Sequence, residues 1–98
     1  MITGTTSSGF AFSMDERVLE DWRFLQAIAD IDSEDGTRVV TGTTNIAALV
    51  LGKEGTEKLK EHIMKDNDGF VPSKLVQKEI IEIINQSKET KKSLSSPG

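Results

Sequence analysis

The sequence has no cysteine and no tyrosine, one tryptophan, one histidine and two prolines in 98 residues. Without cysteine there is no disulfide framework, no thiolate metal site and no thiol nucleophile. A single imidazole cannot build a His-rich metal centre. Long apolar runs are missing as well. The longest unbroken one covers residues 46–51, against the roughly 18 residues a bilayer span needs. No basic segment leads into an apolar one near Met1, so no secretory leader is expected. There is no surplus of positive charge: 12 Lys and Arg stand against 16 Asp and Glu, a formal net charge of −4. That balance argues against broad nucleic-acid binding, which needs a basic face.

What is present is a short, mildly acidic chain with little material for a core. Chains under about 100 residues bury only some 60–65% of their unfolded surface. The two ends are poor in large apolar groups, so residues 1–8 and 86–98 are expected to be flexible and residues 9–85 to form the folded domain. A body of that size often relies on a partner to complete its core.

Within 9–85 the patterning predicts a mainly α fold of about four helices preceded by a short strand or extended arm. Phe10 and Phe12 alternate across residues 9–13, as on one face of a strand. Ser13 or Asp15 then offers a helix cap. Val18, Trp22, Leu25 and Ala29 recur at helical spacing over 16–31, which predicts an amphipathic helix with Trp22 turned to the core. Gly36 reads as a turn residue, and Val39-Val40 as a brief strand or packed loop. Thr43 or Thr44 is a candidate cap for a short buried helix over 45–51, stopped by Gly52 with positive φ. A third helix is expected over 56–65. After the polar turn Asp66-Asn67-Asp68-Gly69, Pro72 suits the start of a fourth, over 72–85. That last helix carries Ile80, Ile81, Ile83 and Ile84, more apolar surface than one outer helix needs.

Several chemical readings fail on composition. Placing Gly69 or Gly36 at the glycine position of an EF-hand loop leaves Met64 and Leu75, or Ile31 and Gly42, where oxygen ligands are required. No phosphate-loop or dinucleotide-binding glycine pattern occurs. His62 has no recognisable nucleophile or orienting acid around it in sequence, and it is expected at the surface or half-buried on the third helix. No catalytic residue, cofactor or metal is therefore predicted. Candidate protein-interaction residues are Phe10 and Phe12, on an arm able to dock on a second copy, and Ile81 and Ile84, on the last helix. For each the competing role is completion of the chain's own core.

The ordered blocks Gly9-Phe10-Ala11-Phe12-Ser13-Met14-Asp15, Val18-Leu19-Glu20-Asp21-Trp22, Leu49-Val50-Leu51-Gly52-Lys53-Glu54-Gly55, Lys58-Leu59 and Asp68-Gly69-Phe70-Val71-Pro72, followed by an Ile-rich helix and a Lys/Ser tail, span about residues 9–97. Together they resemble the tail assembly chaperones of long non-contractile-tailed phages and prophages, especially those of Gram-positive hosts. Glu20-Asp21 replaces a double Asp of the family, Lys91-Lys92-Ser93 stands where Lys-Asn-Ser is usual, and the connector over 32–42 is idiosyncratic beside its pattern. The resemblance implies a non-enzymatic protein of the host cytoplasm, absent from the finished virion. Its implied partner is the tape measure protein, held soluble until the tail tube polymerises. It implies a homo-oligomer without nucleic-acid or membrane partners. It also implies a longer form, made by ribosomal frameshifting near residues 91–98, that recruits the tail tube protein. The alternatives from other classes are a small phage structural or connector protein and a small DNA-binding regulator.

Overall fold

The computed structural model describes residues 1–95. The fold is mainly α, with a two-stranded antiparallel sheet at the N-terminus: β1 (Ile2–Thr5), β2 (Ala11–Met14), a 3-10 turn (Glu16–Glu20), α1 (Trp22–Ile31), α2 (Gly36–Lys65) and α3 (Ser73–Ser95).

Residues 1–8, expected to be flexible, instead pair with the predicted arm. Ile2 lies opposite Met14, Gly4 opposite Phe12 and Thr5 opposite Ala11. Gly9, at φ 94, closes the hairpin. Its amide donates to the Thr6 carbonyl, and the Thr6 amide donates to the Phe10 carbonyl at 2.9 Å. The period-2 pleat sends Ile2, Phe12 and Met14 inward, and all three are buried. The sequence signal was faint because β1 has one large apolar residue and gains its stability from outside itself, by pairing with β2 and packing on α3.

The helix expected over 16–31 is broken. Asp21 has extended backbone (φ −73, ψ 135) and ends the 3-10 turn. Its carboxylate then accepts from the Arg23 amide as the cap of α1. The break resets the helical register. Phe24 and Ala27 now face the core, with Ile28 and Ile31 packed against it, while Trp22, Leu25 and Ala29 face out.

The expected second and third helices belong to one element, α2, kinked at Gly52 (φ 71, ψ 179). That conformation is open almost only to glycine. It is not the left-handed helical cap anticipated at Gly52, although the positive φ was. The Thr56 hydroxyl donates to the Gly52 carbonyl at 2.7 Å and to the Ala47 carbonyl at 3.2 Å, giving partners to oxygens at the kink. Asp35, not Thr43 or Thr44, caps α2 by accepting from the Thr37 amide. The two threonines lie inside the helix and bond back to the carbonyls of Val39 and Val40. Val39-Val40 is therefore helical rather than a strand or loop.

The turn before α3 uses Asp68 (φ 53) and Gly69 (φ 84). The Pro72 carbonyl accepts from Leu75 and Val76, so Pro72 stands just ahead of α3. The helix continues through Ser95 rather than fraying after Asn85, and Ser87 is completely buried. Of the tail expected to be flexible, residues 96–98 lie outside the described residues.

α1 packs chiefly on α2, while α3 packs on α2 and on β1. One apolar core joins Phe10, Phe12 and Met14 of the hairpin, Phe24 of α1, Ile46, Leu59 and Ile63 of α2, and Ile80, Ile83 and Ile84 of α3. No described helix is long and apolar enough to cross a membrane.

Candidate interaction surface

The four sequence-predicted residues separate into two groups. Phe10, Phe12 and Ile84 are buried in the chain's own core. The hairpin packs on α2 through β2 and on α3 through β1, with both phenylalanines in the core rather than on a free arm, and Ile84 belongs to the inward stripe with Ile80 and Ile83. Ile81 alone stays accessible, 43% exposed, on a face of α3 lined by Lys74, Gln77, Lys78 and Asn85.

The largest accessible apolar groups lie elsewhere. Trp22 is 73% exposed and Leu25 51% exposed. With Ala29 they form a stripe at i, i+3 and i+7 along the outer side of α1. This is the same periodicity that the sequence offers as a core-facing stripe. α1 is apolar on two opposite sides, and the inner side is the one carrying Phe24, Ala27, Ile28 and Ile31. The outer stripe is bare because, among the described residues, α1 packs chiefly on α2.

A second apolar site surrounds the kink of α2. Phe70 is 71% exposed at the turn before α3. Next to it Val71 joins Val40, Ala47, Leu59 and Val76 in a groove of about 250 Å³, with Lys60 on its rim. Phe70 lay within a block of the resemblance, but its exposure had no sequence signal of its own.

Polar chemistry concentrates where the hairpin tip meets the helices. Ser7 donates through its hydroxyl to Glu82 Oε1 at 2.7 Å and through its amide to Glu82 Oε2. Gln86 Nε2 donates to the Thr5 carbonyl at 2.9 Å. Ser8 Oγ donates to Glu79 Oε1 and lies 3.0 Å from His62 Nε2. His62 packs its ring on Phe10, with centroids 5.6 Å apart. Serine, histidine and glutamate thus meet, but not in a nucleophilic order. The carboxylate sits on the serine rather than behind the imidazole. The cluster fastens the hairpin to α2 and α3.

Electrostatics are local around the caps. The Arg17 guanidinium and amide hold the Asp15 carboxyl at about 2. Arg23 does the same for Asp21, also at about 2, through a two-pronged contact of 2.9 and 2.8 Å. Lys91, 2.8 Å away, lowers Glu20. The Ser7 hydroxyl lowers Glu82. Among the described residues no three His, Asp or Glu side chains converge to hold a metal ion.

Compared with known proteins, the chain matches no family model, no curated protein and no solved structure.

Proposed function

We propose that this chain is a non-enzymatic binding protein of the tail assembly chaperone type. It holds the tape measure protein soluble in the cytoplasm of an infected or lysogenic host until tail tube subunits displace it, and it is absent from the finished particle. The observation that carries the binding role is the outer stripe of α1. A chain that fills a core with fourteen buried apolar residues still leaves Trp22 and Leu25 in water, and exposed large apolar groups in register mark contact surfaces. The choice of client rests on the sequence resemblance.

The blocks carrying that resemblance fall on the residues that shape the chain: Gly9 at the hairpin, Asp21 at the cap of α1, Gly52 at the kink, and Asp68-Gly69 before α3. Weak contacts repeated along one long client give useful avidity while leaving each copy easy to displace. A frameshifted longer form, extending from the end of α3, would bring tail tube protein to the same client.

The test is co-expression with a tape measure protein encoded in the same genome. The client should move from the pellet to the soluble fraction and elute together with this chain. A client that stays insoluble, or that is equally soluble alone, overturns the reading. Purified virions should contain none of the protein, whereas a connector would be found there.

A further inference from the structure

We infer that the outer stripe of α1 is a docking surface for a basic amphipathic helix of another protein. The inference deepens the binding role above and rests on it for the identity of the natural client, though not for the chemistry of the surface.

Charge along the chain is segregated. Residues 15–35 hold eight carboxylates (Asp15, Glu16, Glu20, Asp21, Asp30, Asp32, Glu34 and Asp35) against two bases, Arg17 and Arg23. That segment is therefore −6 in a chain of −4, and the remainder is +2. The apolar stripe lies inside the negative segment. Asp21 stands at its N-terminal end and Asp32 at its C-terminal end, bounding Trp22, Leu25 and Ala29. Among the described residues Asp32 and Glu34 have no ion-pair partner.

From Trp22 to Ala29 the stripe runs about 10 Å, two turns of helix. A partner helix laying leucine-like residues at i, i+3 and i+7 along that length would match it, with a Lys or Arg flank reaching Asp32 and Glu34 at the C-terminal end, while Asp21 at the other end is already held by Arg23. Trp is the residue type most often dominant at such contacts. The other apolar site differs in chemistry, since Lys60 rims the groove near Phe70. An anionic membrane surface is disfavoured by the same carboxylates, because interfacial helices carry basic flanks.

Trp22 is the sole tryptophan, so its fluorescence reports directly on this surface. The probe is a synthetic amphipathic helix of roughly 18 residues, long enough to be helical when bound, with leucines on one face and lysines beside them. A twin carries glutamates in place of the lysines. Titrating the lysine peptide into the full-length protein should shift Trp22 emission to the blue, and added salt should weaken the effect. The glutamate twin should bind at least tenfold more weakly. Leu25→Asp should lose the lysine peptide by tenfold or more while keeping native circular dichroism. Ile81→Asp, on another face, should bind it as the unmodified chain does.

Absence of a shift, equal binding of the two peptides, or unchanged binding by Leu25→Asp overturns the inference. So does a blue shift that grows with protein concentration alone, which would assign the stripe to a second copy. The designed peptides make this outcome independent of the co-expression test: either result can fail while the other stands.

Discussion

Gly42 of α2 faces Ala27 of α1 so closely that a Cβ on the glycine would stand 2.6 Å from the Ala27 carbonyl oxygen and 2.8 Å from Asp30 Cβ. The obstacle is largely backbone, so it cannot rotate away. Gly42→Ala should push α1 off α2 and cost about 1–3 kcal/mol, the range for overpacking a tight contact. Gly36 has nothing within 4 Å of the same hypothetical atom. Gly36→Ala should raise stability by roughly 0.4–1 kcal/mol through the unfolded chain. Urea denaturation of both variants measures the opposite signs.

Ile81 and Ile84 are three positions apart on α3 and should behave as opposites. Ile84→Asp places a carboxylate in the apolar core, where an unpartnered charge is among the few changes that unfold small domains outright. Ile81→Asp should leave stability within about 0.5 kcal/mol, as surface changes usually do. Thermal melts followed by circular dichroism separate them. Similar melting points for the two variants would contradict the inward orientation of Ile84.

Deleting residues 1–8 removes Ile2 and β1 together, exposing the inner face of β2 and part of α3. Ile2→Ala alone should cost about 2–5 kcal/mol, as for buried isoleucines elsewhere, and the deletion should cost more. Were the deleted chain to melt where the full one does, β1 would contribute nothing to the fold. Chemical denaturation of the two variants decides it.

Asp15 and Asp21, the caps of the 3-10 turn and of α1, have folded values near 2 against about 3.9 for an ordinary aspartate. A depressed carboxylate stabilises the fold above its unfolded value, and that contribution disappears as pH falls through the folded value. The stability they supply should therefore be intact above pH 4 and be lost between about pH 4 and 2. Carboxyl chemical shifts in NMR titrations should show both midpoints near 2. In Arg23→Gln the Asp21 midpoint should rise toward the ordinary value while Asp15 stays low.

Gly52→Ala tests the kink. A φ of 71 with ψ near 180 is strained for any residue with a Cβ, at about 1–3 kcal/mol. The kink sets the angle between the two halves of α2, so the substitution should also alter the groove around Val40, Val71 and Val76. Reduced stability with changed methyl shifts at those valines is expected. A variant as stable as the parent would show the conformation to be unstrained.

The places where glycine or aspartate dictates the backbone were legible from the residues alone. The break at Gly52 and the turn at Asp68-Gly69 follow from the chemistry of single residues, and Asp15 was one of two cap candidates with Ser13. The side of α1 that faces inward was not legible. Its apolar residues include Trp22, Phe24, Leu25, Ala27, Ile28, Ala29 and Ile31, which supports two registers nearly equally. Only the extended backbone at Asp21, a conformation fixed by the capping bond to Arg23, chooses between them. The stripe later proposed as a docking surface was thus visible as a pattern and assigned to the wrong side. β1 was hidden for a different reason: its stability comes from residues far along the chain. The start of α2 was obscured because Val39-Val40, Thr41 and Thr43-Thr44 are β-branched and individually poor helix formers. Thr43 is buried and Val39 half-buried, which offsets that preference at those two positions, while Val40, Thr41 and Thr44 stay exposed.

The Thr5 carbonyl receives its hydrogen bond from Gln86, 81 positions later, and Met14 meets the hydroxyl of Ser87 at 2.9 Å. During synthesis the first strand emerges long before its cover exists. The hairpin must wait, greasy side out, until the final helix leaves the ribosome. Such long-range closure slows folding relative to a simple helical bundle, and it makes the newborn chain most vulnerable at its leading edge. Any sequence appended after α3 would delay that closure further, so an elongated product should mature more slowly than the short one.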